Sequence, residues 1–173
     1  HLSIRRQRQM CIRDRSIAIA SASVVVGVIY YAFQVRHQTK IRQTDLVMRL
    51  YSTMGSKEFL ETVAEVIALQ YKDFKDYEKK YGSWLSKGPT QLAIFEVAVY
   101  FQGVGLLLFR KIIDIGFTYN LLGFSTVKVC WEKTKPVIVG LREQLNDPTF
   151  CVWFEYLYNE MQKREQQLAS KKA

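Results

Sequence analysis

The chain has 173 residues, a formal net charge of +9, 49% hydrophobic residues and 13% aromatic residues. This size and composition allow one membrane segment plus one domain with a hydrophobic core, and they exclude a disordered tail. Three prolines and nine glycines are few, which favours long helices over a turn-rich β architecture. The positive charges are spread along the chain, a pattern typical of solubility and membrane orientation rather than of a nucleic-acid partner.

The first fifteen residues, HLSIRRQRQMCIRDR, stand apart from the rest. They resemble translated sequencing-adapter read-through of the kind that contaminates metagenomic assemblies, with the match centred on Ser3–Arg8 and Met10–Arg13. We therefore expect residues 1–15 to be a non-native leader and exclude them from the fold prediction. The alternative left open is a native basic flank that binds lipid headgroups or sets the membrane orientation.

A run of nineteen residues without a charged side chain follows, from Ile17 to Val35: IAIASASVVVGVIYYAFQV. A helix rises about 1.5 Å per residue, so this run crosses most of a hydrocarbon core of about 30 Å. A cleaved signal peptide would need a small-x-small site after the run, but the run ends in Tyr-Tyr-Ala-Phe-Gln-Val. A buried core helix is the other alternative. We predict a transmembrane anchor at 16–36 whose lipid-facing residues include Ile17, Val24, Val25, Val26, Val28, Ile29, Tyr30 and Tyr31.

Cations after this run set the predicted orientation. They are Arg36, Lys40, Arg42 and Arg49. Basic residues close to one end of a membrane helix hold that end in the cytoplasm. We expect a single-pass protein of a prokaryotic inner or cytoplasmic membrane, with its C-terminal domain in the cytosol. Small residues at helix-packing spacing within the anchor leave a homo-oligomer open.

The part after the anchor predicts helices only. A juxtamembrane helix at 37–54 ends at the Met54-Gly55-Ser56 break, after which Ser56 can cap a new helix. Asp73 is placed to cap a shorter helix, and Pro89 suits the first turn of the next one. The expected fold is all-α: one N-terminal transmembrane helix, then a cytosolic bundle of about five helices at 55–165 and a polar tail at 166–173.

Residues Leu92–Phe109, LAIFEVAVYFQGVGLLLF, are the most apolar stretch after the anchor. One hypothesis is that these residues form a second membrane span. Glu96 and Gln102 argue against it, because a carboxylate in mid-membrane costs roughly 2.5–3.5 kcal/mol. The favoured reading is the central helix of a bundle, apolar nearly all round.

The last third of the chain predicts a short helix or turn capped by Asp114 and a long helix from Ser125 to Asn146, kinked at Pro136. The final helix carries a stripe that includes Phe154 and frays into the polar tail from Gln162. Four aromatic residues here are candidates for the core or for an interface: Trp131, Trp153, Phe154 and Tyr156.

No catalytic, cofactor or metal site is predicted. The histidines are His1 and His37, and no two cysteines stand closer than Cys130 and Cys151, so a zinc site lacks ligands. Glu96 could be a carboxylic acid with a raised pKa; the preferred readings are a buried pair with a base such as Arg142, or a position at a helix edge. An enzyme would need a pocket in which carboxylates from this set converge: Glu96, Asp114, Glu132 or Glu155.

Aromatic residues and lysines alternate in Tyr71–Lys87, YKDFKDYEKKYGSWLSK. Rings and cations together could bind single-stranded nucleic acid. Acidic residues neutralise most of the lysines, however, and the rings fall at helical spacing. An amphipathic helix with a solvated charged face is the favoured interpretation.

Five segments together resemble a known family. They are FQVRHQTK (Phe33–Lys40), YSTMGSKEFLE (Tyr51–Glu61), FRKIID (Phe109–Asp114), CWEKTKP (Cys130–Pro136) and LNDPTFCVWFEYLYNEM (Leu145–Met161). They are similar to domain of unknown function 4760, membrane-anchored helical proteins of bacteria and archaea. The resemblance covers roughly Ser16 to Gln167, and it implies a fold and a topology but no chemistry.

The preferred function is a non-catalytic protein-interaction or scaffold module held at the membrane, with the lipid bilayer and a protein of unknown identity as partners. Two alternatives stay open. One is a membrane-perturbing or stress and defence effector in which Leu92–Phe109 inserts into lipid. The other is an enzyme that uses a buried carboxylate.

Overall fold

The computed structural model describes residues 2–86 and 88–170, apart from the side chains of residues 2–21, 39, 40 and 43. The described residues form helices and turns and contain no strand, which confirms the all-α class. The α-helices are α1 (Leu2–Met54), α2 (Lys57–Ala68), α3 (Phe74–Tyr81), α4 (Pro89–Phe109), α5 (Ile115–Leu122), α6 (Phe124–Gln144) and α7 (Val152–Ser170), with a 3₁₀ turn at Trp84–Ser86.

The chain divides into two units, His1–Asp45 and Leu46–Ala173. The first unit is a stretch of α1. Its apolar side chains from Val24 to Val35 are exposed. The side chains of the predicted leader at 1–15, of Ile17 and of Lys40 lie outside the described residues, and the transmembrane anchor stays a prediction.

Three predicted helix starts are confirmed in the second unit. The side chain of Ser56 accepts a hydrogen bond from the backbone N–H of Phe59 at 3.2 Å, and so caps α2. Asp73 caps α3 and Asp114 caps α5 in the same way. Such caps satisfy backbone donors that have no partner within their own helix.

Helix α4 lies at the centre of this unit and contacts α2, α6 and α7. One face of α4 is buried: Gln91, Ala93, Ile94, Val97, Ala98, Phe101, Val104, Gly105 and Leu108. The ring of Phe101 stacks on that of Phe154 in α7 with centroids 5.0 Å apart. The apolar side chains on this face of α4 therefore form part of the core of the domain.

Gly105 brings the backbones of α4 and α7 together. A Cβ at this position would lie 1.9 Å from the carbonyl oxygen of Trp153. No side chain larger than hydrogen fits there without moving one of the two helices. The neighbouring glycine of α4, Gly103, is the opposite case, since a Cβ there would meet nothing within 4 Å.

The polar residues of α4 bind backbone groups of other segments. The Oε1 of Gln102 accepts hydrogen bonds from the N–H groups of Trp153 at 2.9 Å and Phe154 at 3.0 Å, and so caps α7 from another helix. The side-chain amide of the buried Gln91 donates to the carbonyl of Tyr81 at 2.8 Å. Burial of these side-chain amides costs little free energy, because their hydrogen bonds within the protein replace hydrogen bonds to water.

Helix α6 is continuous through Pro136 and ends at Gln144, close to the predicted end at Asn146. Helix α7 extends further than the sequence indicated. Helix α7 continues to Ser170, so the expected fraying from Gln162 is wrong. A hydrogen bond from the hydroxyl of Tyr119 in α5 to the carboxylate of Glu165 lies in this stretch, and the Met161 side chain is fully buried. Packing against α5 keeps the final turns helical.

We expect Gly105→Ala to lower the free energy of unfolding by about 2 kcal/mol or more, because the added methyl group overlaps the α7 backbone. Gly103→Ala is the matched control on the same helix. It should leave stability unchanged or raise it by about 0.5–1 kcal/mol, because alanine favours a helix interior. Thermal unfolding of both variants in mild detergent measures this. Equal melting temperatures would contradict the close α4–α7 contact.

Candidate interaction surface

The four carboxylates proposed for an enzyme lie on different elements and each has its own partner. Glu96 in α4 is exposed and accepts from the hydroxyl of Thr62 at 3.4 Å, and Asp114 is used as the α5 cap. Glu132 lies 3.9 Å from Lys128. Among the described residues, no three histidine, cysteine, aspartate or glutamate side chains could hold a metal ion together.

The expected buried pair of Glu96 and Arg142 is wrong. Glu96 takes the alternative position at an exposed helix edge, and Arg142 binds Glu155 instead, with Nη1 and Oε2 at 2.8 Å. The Nε of Arg142 also donates to the carbonyl of Phe150 at 2.9 Å. Arg142 therefore joins the end of α6 to the start of α7, which is a structural role.

The loop between α6 and α7 has a second polar contact. Asp147 accepts hydrogen bonds from the backbone N–H of Thr149 at 2.9 Å and from its hydroxyl at 2.6 Å. These bonds favour the charged carboxylate and hold the pKa of Asp147 below its usual value. Local side-chain bonds of this kind stabilise a turn after a helix.

The aromatic candidates divide between core and surface. Trp131 and Phe154 are buried, with ring centroids 5.1 Å apart. Trp153 and Tyr156 are half-buried, and both pack against Phe109 with centroid distances of 4.2 Å and 5.7 Å. The first pair belongs to the core, and the second borders exposed apolar surface at the end of α4.

The rings of the Tyr71–Lys87 stretch are used inside the domain. The hydroxyl of Tyr71 donates to the carbonyl of Lys133, and the Tyr77 side chain is fully buried. Burial disfavours the charged phenolate and raises the pKa of Tyr77 to about 12. Lys80 binds Asp76 at 2.9 Å. These tyrosines are not available to stack on nucleotide bases.

A row of exposed apolar side chains runs along the outer face of α4. We call it the α4 stripe, and its members are 37–58% exposed: Leu92, Phe95, Val99, Leu106 and Phe109. Gly103 is exposed between Val99 and Leu106, and Glu96 and Arg110 border the stripe. The three- and four-residue spacing places these positions on one side of the helix.

Helix α4 as a whole is long and apolar enough to cross a bilayer, by length and composition only. Among the described residues, α4 is the one helix that meets these criteria of length and composition. The candidate membrane span therefore lies in mid-chain and not at the N-terminus, where the sequence predicted it. The core helix of a soluble domain passes the same test. About 44% of the apolar window is buried within the protein, which fits a core helix with one exposed face.

The family described as "Domain of unknown function (DUF4760)" matches residues 18–161. The chain belongs to this family. The match begins within the apolar segment, includes α2 to α6 and ends in α7 at Met161, which confirms the resemblance seen in the sequence. No curated protein and no solved structure matches the chain. DUF4760 membership therefore adds no activity to the geometry described above.

The spacing of apolar residues in α4 could have predicted part of this surface from the sequence. Leu92, Phe95 and Val99 follow helical spacing, but so do the buried residues of the same helix. When apolar residues cover the whole circumference, the sequence does not tell which side faces the core. The role of Gln102 was also missed, because its partners are more than fifty residues away.

Glu155→Ala should lower the free energy of unfolding by about 1 kcal/mol, because it leaves a half-buried guanidinium without its carboxylate. The control is Glu132→Ala, which removes an exposed ion pair at 3.9 Å and should change stability by less than about 0.5 kcal/mol. Thermal unfolding at neutral pH compares the two. Equal losses would contradict a special structural role for the Arg142–Glu155 pair.

Proposed function

We propose that this DUF4760 protein is a single-pass membrane protein whose C-terminal helical domain lies in the cytosol and acts as a non-catalytic interaction or scaffold module. The exposed α4 stripe is the observation that carries the second half of this proposal. Contiguous exposed apolar surface bordered by charge is typical of a protein-interaction site.

The anchor is supported by the first unit. Its valines, isoleucine and tyrosines from Val24 to Tyr31 are exposed on a helix, which suits a lipid environment. Arg36 and Arg42 follow at its C-terminal end, and this side of the membrane is then cytoplasmic.

An interaction role suits the domain better than catalysis. Glu96, Glu132 and Glu155 each have a separate partner, and the buried cysteines Cys130 and Cys151 are poor nucleophiles. Burial raises the pKa of the Cys130 thiol to about 12 and that of Cys151 to about 11, so almost none is thiolate at neutral pH.

The inert cysteines make a labelling experiment direct. In a Cys11→Ser background, Lys57→Cys adds one exposed thiol after the anchor, since the Lys57 side chain is 82% exposed. A membrane-impermeant maleimide should label residue 57 in permeabilised spheroplasts and not in intact ones. The background without Lys57→Cys should stay unlabelled in both.

Two outcomes would contradict the proposed topology. One is labelling of Lys57→Cys in intact spheroplasts, which would place the domain outside the cytosol. The other is release of the unmodified chain from membranes by alkaline carbonate, which removes peripheral proteins but not spanning helices. The interaction role would be contradicted if the protein in detergent extracts were a monomer with no stoichiometric partner of any kind.

A further inference from the structure

We propose that the α4 stripe binds a second copy of this chain, with the two α4 helices packed antiparallel and crossing at Gly103. This inference rests on the proposed interaction role and names its partner. The arrangement is a two-fold interface, in which each contact occurs twice.

The crossing point follows from the available space. Gly103 is exposed, and a Cβ built on it would meet nothing within 4 Å, so another helix can approach its backbone closely. Val99 lies four residues before Gly103 and Leu106 three residues after it. In an antiparallel pair crossing here, Val99 of one copy packs against Leu106 of the other.

Charge complementarity sets the direction. Glu96 lies seven residues before Gly103 and Arg110 seven residues after it. Antiparallel packing about Gly103 therefore places Glu96 of each copy opposite Arg110 of the other, which gives two ion pairs by symmetry. Neither side chain has an ion-pair partner among the described residues. A parallel pair would instead place Glu96 next to Glu96 and Arg110 next to Arg110.

The two phenylalanines of the stripe fit the same arrangement. Phe95 of one copy comes beside Phe109 of the other, and exposed Ile112 continues the apolar surface in the turn after α4. The row of positions 92, 95, 99, 103, 106 and 109 is close to the repeat of three and four residues that two packed helices use.

A bilayer is the competing occupant of this face, and Glu96 argues against it. A carboxylate inside lipid is costly, whereas in the dimer it faces a guanidinium. The proposed anchoring of both copies in one membrane raises their effective concentration, which favours a dimer that forms through one face of a single helix.

The experiment uses the full chain in lipid vesicles, with donor and acceptor fluorophores on separate copies at Lys57→Cys in the Cys11→Ser background. Energy transfer as a function of protein density gives the dimer dissociation constant. The variants are Glu96→Arg, Arg110→Glu and the two combined. Each single reversal converts both attractive pairs into repulsive ones, so it should weaken dimerisation roughly tenfold. The combined reversal should restore it.

The apolar contact has a matched control. Val99→Lys should weaken dimerisation at least as much as either charge reversal, since it puts two cations at the crossing. Val139→Lys makes the same substitution at an exposed valine on α6, outside the stripe, and should not change the dimer dissociation constant. All of these residues are exposed, and thermal unfolding checks that each variant is folded.

The proposal is overturned if the wild type shows no energy transfer above chance. It is also overturned if the single reversals dimerise as well as the wild type, or if the combined reversal fails to restore dimerisation. An environment-sensitive dye at Phe95→Cys that brightens in lipid at densities too low for dimers would show a membrane contact instead. The topology labelling is independent of these results, so failure here leaves the proposed function to its own test.

Discussion

The contact between α4 and α7 organises the C-terminal unit of this protein. Gly105 lets the two backbones approach until only hydrogen fits between them, and Phe101 stacks on Phe154 within the same interface. Gln102 then binds the two N–H groups at the start of α7. The three contacts lie within five residues of α4, so close packing, ring stacking and helix capping fix α7 together.

The same contact explains how the very apolar helix α4 can form the core of a folded domain. The buried face of α4 supplies the core, and its polar residues bind backbone groups in three places. Besides Gln102 and Gln91, the hydroxyl of Tyr100 donates to the carbonyl of Leu50 at 2.9 Å. A helix that spanned lipid would find no such partners, so these bonds argue for α4 as the centre of a folded domain. Its outer face is then left as an exposed apolar surface.

Local signals predicted the helix starts well. Ser56, Asp73 and Asp114 are caps because an oxygen three residues before a backbone N–H is in reach whatever the rest of the chain does. Contacts between distant segments were harder. The partner of Arg142 is Glu155 and not Glu96, a choice set by how α6 and α7 meet. The exposed side of α4 was likewise undecided until its neighbours were placed.

We propose a lipid-bound anchor followed by a helical domain that is stable in water, and the solubility of the domain alone tests this proposal most directly. A chain that begins at Gln38 should remain in the supernatant after high-speed centrifugation without detergent and show a cooperative thermal transition. The full chain should sediment with membranes. If the chain from Gln38 sediments or aggregates without detergent, α4 is not a core helix in water and the central claim fails.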